Sequence, residues 1–254
     1  MHTPTKRLKL CRGLAFLIAL GAVTSVCAQQ TVVTISGRVT DQSTGQPIAG
    51  AAVSAQGNLT GTRVSITDAQ GDYTLPLGAN TDITLRAYTS LYAFNPLSTE
   101  FTSFGGPFTG TLSRNFTGNK LPFPILIFAL PPIVLTEDSS LNTLAFDSML
   151  YLRDPFALVN DNHLGTDKRT RLMLLLIDMD LYSGETISII TVQAQDAQQR
   201  TFVLPVEDLR KVPDFPWLSQ LMVRLPPELA AVTDVTISVS ARGQTSNLTK
   251  VRLY

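Results

Sequence analysis

Between Val33 and Ala87 apolar and polar residues alternate in short runs broken by glycine-bearing turns, and a period of two over that distance directs the chain into β-strands. Val33, Ile35 and Val39 fall on one side of the first run, with Thr34, Ser36, Arg38 and Thr40 on the other. Asp41 to Gln46 reads as a turn in which Gly45 suits a positive φ. Pro47 then fits the start of an edge segment, because it has no N–H to offer a ladder. Val53 and Ala55 continue the buried face. In the next run Val64 and Ile66 are expected inward and Arg63, Ser65 and Thr67 outward, ahead of the turn formers Asp68-Ala69-Gln70-Gly71. Tyr73, Leu75 and Leu77, then Ile83, Leu85 and Ala87, complete the inward set.

The residues that carry these turns are distinctive. Gly37-Arg38-Val39 to Asp41, Thr44-Gly45-Gln46-Pro47-Ile48-Ala49-Gly50-Ala51-Ala52-Val53 and Thr67-Asp68-Ala69-Gln70-Gly71-Asp72-Tyr73-Thr74-Leu75 resemble the carboxypeptidase regulatory-like family, a transthyretin-related (prealbumin-like) sandwich. The resemblance covers residues 31–118 and includes Tyr92-Ala93-Phe94-Asn95-Pro96 and Asn115-Phe116-Thr117-Gly118. It implies a non-catalytic β-domain of secreted proteins. The family is often described as having a carbohydrate-binding-like fold, and such a label does not establish sugar binding.

From Ser90 to Gly118 the aromatics Tyr92, Phe94, Phe101, Phe104, Phe108 and Phe116 read as core and connection, with a turn at Gly105-Gly106-Pro107. The run Leu121 to Leu135 is apolar, but Pro122, Pro124, Pro131 and Pro132 and its shortness argue against a membrane span. It is read as a buried connector over 119–132, with a brief strand from Ile125 to Leu130. Such a connector would fix two domains against each other.

Beyond it the chain is again β-rich. Ser139 to Leu152 permits either a helix or a strand, and the strand is preferred. Arg171 to Asp178 is almost continuously apolar, as for a central strand covered on both faces. Ser188 to Gln195 and Thr201 to Val206 are expected to pair around Asp196-Ala197-Gln198-Gln199. Val223-Arg224-Leu225-Pro226-Pro227-Glu228-Leu229, the alternating Val235 to Val239 run and Arg242 to Asn247 resemble an immunoglobulin-like module of modular bacterial secreted proteins. Arg153-Asp154-Pro155-Phe156, Val206-Glu207, Lys211-Val212-Pro213 and Trp217-Leu218 share that likeness, which spans residues 133–254. The expected architecture is all-β: two tandem antiparallel β-sandwiches, transthyretin-like and then immunoglobulin-like, behind a cleaved leader.

Residues 1–28 have the form of a signal peptide, with basic residues to Arg12, an apolar core from Leu14 to Val23 and a cleavage site after Ala28. Cys11 and Cys27 both lie in it, so the mature chain holds no disulfide, thiolate nucleophile or cysteine-bound zinc. Removing Lys6, Arg7, Lys9 and Arg12 with the leader leaves 16 basic residues against 20 acidic, a net charge of −4, which argues against nucleic acid as a partner. Secretion, or retention in the periplasm or at the cell surface, follows from the leader, with no transmembrane span in the mature chain.

Catalytic motifs are missing. His163 is the one histidine beyond the leader, no G-x-S-x-G elbow accompanies it, and Thr166 stands where a second zinc ligand would be needed. It is read as a loop or surface residue. Asp178 and Asp180 share a strand face and could serve as an acid pair, which would require an enclosed cleft. No catalytic residue and no cofactor is assigned. Calcium is the one ion considered, with Asp154, Asp161 and Asp167 as oxygen donors near Asn160 and Asn162, although Lys168, Arg169 and Arg171 can neutralise the same acids. Tyr88, Tyr92 and Trp217 are the candidates for stacking on a sugar. N-x-[ST] triplets at Asn58, Asn115 and Asn247 are read as chance occurrences. The expected function is non-enzymatic binding, adhesion or spacing at the bacterial cell exterior, with extracellular polysaccharide or other cell-surface proteins as partners. The alternative is an accessory carbohydrate-binding protein.

Overall fold

The computed structural model describes residues 32–57, 61–78, 82–89, 92–101, 110–121, 130–137, 140–229 and 233–254. The leader, Phe104, Phe108, the Gly105-Gly106-Pro107 turn, residues 125–129 of the expected 125–130 strand and Asn58 lie outside the described residues.

Strands β1 (Val32–Asp41), β2 (Ala52–Gly57), β3 (Gly61–Ile66), β4 (Asp72–Gly78), β5 (Ile83–Tyr88), β6 (Tyr92–Asn95), β7 (Thr99–Phe101), β8 (Gly110–Ser113) and β9 (Phe116–Lys120) form two sheets. One has the order β4-β1-β9-β6, with β8 also on β1, and the other β3-β2-β5-β7. Their facing sides meet in one core, where Ile35, Val39, Leu75 and Phe116 from the first pack with Val53, Ala55 and Leu85 from the second. Pairing is antiparallel except along β1, where β8 and β9 run parallel to it. The two segments are joined at a kink: the Arg114 N–H donates to Ser36 O at 2.8 Å and the Arg38 N–H to Asn115 Oδ1 at 2.9 Å.

The turn after β1 is closed by Asp41, whose Oδ1 accepts from the Ser43 N–H at 2.9 Å and the Thr44 N–H at 3.0 Å. The Ser43 hydroxyl, then the Thr44 and Ser43 amides, hold the Asp41 carboxyl down at about 2. A carboxylate depressed on folding stabilises the fold above its unfolded value near 4 and stops doing so as pH falls through about 2. Asp41→Asn is therefore expected to flatten the acid limb of the stability curve between about pH 4 and pH 2, a change read from urea midpoints across that range.

β3 departs from the expected facing. Ile66 is exposed and Thr67 is buried, its Oγ1 accepting from Ala51 N at 2.9 Å and its hydroxyl donating to Ile48 O at 2.7 Å. Val64 packs with Ile133, Leu135 and Ile177 of the second module. An edge strand has two faces to cover, and here a neighbouring module covers what alternation assigns to the strand's own core.

The second module comprises β10 (Ile133–Val134), β11 (Ala145–Asp147), β12 (Arg171–Ile177), β13 (Ile190–Gln195), β14 (Thr201–Leu204), β15 (Val206–Val212), β16 (Phe215–Arg224), β17 (Asp234–Ala241), β18 (Gln244–Thr245) and β19 (Thr249–Arg252). Its sheets are β10-β12-β16-β15, with β11 on β12, and β14-β13-β17-β18, with β19 on β17. Between them Leu172, Leu174, Leu176 and Val223 pack against Val192, Val235, Ile237 and Val239. The β13–β14 hairpin forms as expected, its turn held by Asp196 Oδ1, which accepts from the Gln198 and Arg200 N–H groups at 2.9 and 2.8 Å.

Within 139–152 the described residues contain no helix. The strand is confined to β11, because Asp147 Oδ1 accepts from both the Met149 and Leu150 N–H groups at 2.8 Å and turns the chain there. Leu150 and Leu152 are exposed.

β12 is covered on both faces, as its composition predicts. Leu172, Leu174 and Leu176 enter the module's own core, while Leu175 and Ile177 join Val64, Trp217 and Leu218 at the junction. Val64→Asp brings a carboxylate to that apolar seam and is expected to cost about 1 to 3 kcal/mol. Calorimetry should show the single unfolding endotherm splitting in two.

Candidate functional site

β12 ends at Ile177, and Asp178 immediately after it takes φ 60°, a left-handed conformation that aspartate tolerates. The next peptide is pinned where the Ser219 hydroxyl donates to Met179 O at 2.6 Å. Asp178 and Asp180 then meet two side chains from β5. Arg86 donates to Asp178 Oδ2, and to Pro131 O at 2.9 Å. The Tyr88 hydroxyl donates to Asp180 Oδ2, and Lys211 pairs with Asp180 Oδ1. Arg242 donates to Asp180 O, pairs with Glu185 through Nε at 2.8 Å and lies over the Tyr182 ring, 4.0 Å from its centre.

Burial drives the electrostatics of this cluster. It pushes the Asp178 carboxyl up to about 6, with Arg86 offsetting part of the shift. Burial likewise lowers the Arg86 guanidinium, partly offset by Asp178. Arg242 holds the Glu185 carboxyl below its ordinary value.

A cleft of about 780 Å³ opens beside this cluster, between the two modules. Tyr88, Tyr92, Phe94 and Leu97 line it from the first module, and Met179, Leu181 and Leu209 from the second. The volume lies in the range of ligand pockets, and a domain boundary is a common place for one.

The sequence candidates distribute as follows. Asp178 and Asp180 lie in the cleft rather than on open surface, yet each carboxylate is already engaged by a cation, Arg86 for one and Lys211 for the other. Tyr88 and Tyr92 both line the cleft, with the Lys211 ammonium 5.5 Å from the Tyr88 ring centre. Tyr92 stacks on Phe94 at 6.1 Å and donates to Asp41 Oδ2 at 3.2 Å. Trp217 stands apart in the junction seam, edge-on to Phe215 at 5.9 Å.

The calcium candidates are not gathered. Asp154 Oδ2 accepts from Arg252 Nε at 2.7 Å, and Asp167 is surrounded by Arg169, Arg171 and Arg224. Hydrogen bonds from Arg169 hold the Asp167 carboxyl far below the usual carboxylate range. Asp161 is exposed, and its carbonyl accepts from Lys168 Nζ at 3.2 Å. Among the described residues no group of three or more His, Cys, Asp or Glu is placed to hold a metal ion.

His163 lies in a loop, as expected, but is buried rather than exposed. Asn160 Nδ2 donates to Asp147 Oδ2 at 3.0 Å and draws that loop inward. Two of the glycosylation-type asparagines are structural: Asn115 in the β8–β9 kink, and Asn247, which donates to Val134 O and accepts from Val134 N, both at 2.9 Å.

Alternation along β5 misses Arg86, because it places that residue on the side opposite Leu85 and so nominally in water. No local signal marks it, since the groups its guanidinium donates to, Pro131 O and the Asp178 carboxylate, lie 45 and 92 positions away. Among the described residues no helix is long and apolar enough to cross a membrane.

No curated protein matches the sequence. Comparison with solved structures returns the TIE protein of Bacillus anthracis at 8% identity and TM-score 0.30, over 88% of this chain and 32% of that one. This chain thus spans about a third of the length of that protein. It also returns BcpA, the major pilin subunit of Bacillus cereus, at 8% identity and TM-score 0.26, covering 88% of this chain and 69% of that one. The shaft pilin spaA from Lactobacillus rhamnosus GG follows at 8% and 0.25, covering 88% and 93%. The family comparison is specific: residues 34–96 match the carboxypeptidase regulatory-like domain. That span runs from β1 into the residue after β6 and includes Arg86, Tyr88 and Tyr92. Over residues 34–96, the first module matches the carboxypeptidase regulatory-like domain.

Proposed function

We propose that the chain is an exported, non-enzymatic modular protein of the bacterial cell exterior, serving in binding, adhesion or spacing. The observation that supports this reading best is the junction. Two sandwiches meet through an apolar seam and a buried Arg86–Asp178 pair, so they present surface features at a fixed separation and orientation. Rigid sheets that carry recognition loops suit such a role. Residues 29–254, immobilised and probed with extracellular polysaccharides and cell-surface proteins, should bind a partner in a way that Val64→Asp weakens. Equal binding by the uncoupled variant would overturn the rigid-spacer reading.

A second reading, an accessory carbohydrate-binding role, is favoured by one arrangement. Tyr88, Tyr92, Asn95 and Asn119 line the same cleft and offer rings beside amide donors and acceptors. A soluble polysaccharide that occupies it should raise the melting temperature in proportion to the logarithm of its concentration above Kd. Tyr92→Ala is expected to lower that affinity about tenfold, or roughly 1.4 kcal/mol. A panel of polysaccharides that leaves the melting temperature unmoved rejects the sugar.

A further inference from the structure

The parallel pairing in the first module lies between the strand that enters it and the strands that lead out of it. Val33 to Ser36 face Gly110 to Ser113, and Val39 to Asp41 face Phe116 to Gly118. The offset is 77 positions on both sides of the kink and for the Arg38–Asn115 bond within it, so β8 and β9 follow β1 in one unslipped register. Gly37 lets the kink pass: the Arg114 carbonyl occupies the place of its missing side chain. The two ends of this pairing lie at opposite poles. Lys120 faces Tyr92 at the junction, and Tyr92 in turn bonds to Asp41. Val32 stands nine residues of strand from Asp41, roughly 30 Å away, beside Gly78.

The second module repeats the arrangement with different residues. It is entered at Ile133, beside Ile177 at the junction end of β12, and β19 leads out of it through Leu253 and Tyr254. Tyr254 N–H donates to Phe156 O at 3.0 Å, and Leu158 O, two residues on, accepts from Thr170 N–H at 2.9 Å, next to the opposite end of β12. Along its free side β19 runs parallel to the entering chain, with bridges from Asn142 to Lys250 and from Phe156 to Leu253. Thr143 N–H donates to Lys250 O at 2.7 Å, Lys250 N–H to Leu141 O at 2.8 Å and Phe156 N–H to Arg252 O at 2.9 Å. Asp154 adds a side-chain clasp, accepting from Arg252 N–H at 2.5 Å and from its Nε at 2.7 Å.

Strand direction decides how such a pairing meets tension. Where entering and leaving strands are parallel and their outer ends lie at opposite poles, a pull along the chain slides one strand past the other. The ladder bonds run across that motion and are loaded together. In a hairpin the pull enters at one end and opens the bonds one at a time. Resistance to forced unfolding is a matter of rate rather than of equilibrium stability, so bonds that must break together count most. We infer that the two modules are shear clamps in series, and that the chain bears tension applied ahead of β1 and beyond β19. A tether under load is one form of the spacing role proposed above. The clamps rest on strand pairing alone, so a weak clamp removes the tether and leaves the spacing role to its own test.

The experiment is single-molecule force spectroscopy on residues 29–254 held between flanking marker domains. End-to-end pulling should give two ruptures, releasing about 30 nm of chain for the first module and about 40 nm for the second. Residues 29–254 hold no cysteine, so Thr44→Cys supplies a unique second handle in the exposed turn after β1. A pull from residue 44 against the C-terminal marker loads the Asp41–Gly118 end of the pairing first and peels it open. The first-module rupture should then need at least about twofold less force, because the same ladder bonds break in turn instead of together. That comparison leaves the clamp residues unchanged and so does not depend on a variant folding. In the second module Lys250→Pro removes an amide that faces Leu141 rather than β17. It should speed that module's rupture at a given force about tenfold, with the first-module event unmoved. Equal first-module forces in the two pulling directions, a second-module rupture that Lys250→Pro leaves unchanged, or end-to-end pulling with no resolved rupture would each overturn the inference.

Discussion

Arg86→Met is expected to destabilise the protein by about 3 to 5 kcal/mol at pH 7, because it leaves the Asp178 carboxylate buried without its cation. The double variant Arg86→Met/Asp178→Asn should recover most of that loss, since replacing both members of a buried pair removes the stranded charge as well as the contact. Urea denaturation of the four species in a double-mutant cycle measures this directly. The cost should also depend on pH in a defined direction. Burial raises the Asp178 carboxyl to about 6, well above its unfolded value near 4. A carboxyl raised on folding contributes stability in its protonated form, fully present below pH 4 and lost as pH climbs through 6. The Arg86→Met penalty should therefore shrink toward pH 4, where Asp178 is neutral and asks for no partner. A penalty that is flat between pH 4 and pH 7 would show that this carboxyl is not buried as described.

Gly37→Ala is expected to cost about 3 kcal/mol or more. A Cβ at residue 37 would stand 1.5 Å from the carbonyl oxygen of Arg114. That oxygen cannot retreat freely, since it accepts from the Tyr73 hydroxyl at 2.8 Å, while the Arg114 amide is bonded to Ser36 O. The substitution must part β1 from the β8–β9 kink and disturb Phe116, which has no exposed surface. Gly45→Ala is the informative control. Gly45 has φ 68° with nothing within 4 Å of a Cβ, so its alanine pays only the left-handed backbone penalty of about 1 to 2 kcal/mol. Thermal melts of the two variants should rank them in that order.

The contrast between these sites explains what could be read from the residues alone. Val33, Ile35 and Val39, or Val235, Ile237 and Val239, are buried as alternation predicts, because each faces a sheet of its own module and solvent lies opposite. Alternation assumes that the second face is wet. At Val64 and Arg86 it is not: Ile133, Leu135, Ile177, Trp217 and Leu218 cover the one and Pro131 and Asp178 engage the other, and a periodic pattern does not distinguish water from a neighbouring module. The near-continuous apolar run of β12 did signal a second covered face, although nothing in it named Val64 and Trp217 as part of the cover. The site candidates follow the same logic. Tyr88 and Tyr92 are brought together because β5 ends and β6 begins at the junction, whereas Trp217 is drawn into the apolar seam. The acids proposed for calcium lie within reach of arginines that sequence spacing showed only in part: Arg169 and Arg171 were adjacent to Asp167, but Arg224 and Arg252 arrive from other strands.

The cleft, its walls and the fixed spacing of recognition surfaces all depend on the two sandwiches moving as one body. Residual dipolar couplings from the β1–β7 amides and the β12–β19 amides, measured in one alignment medium, address that dependence most directly. A single alignment tensor should fit both sets in the wild type, and two tensors of different magnitude should be needed for Val64→Asp. Two unequal tensors in the wild type itself would mean that the modules swing independently, contradicting the seam and the Arg86–Asp178 lock.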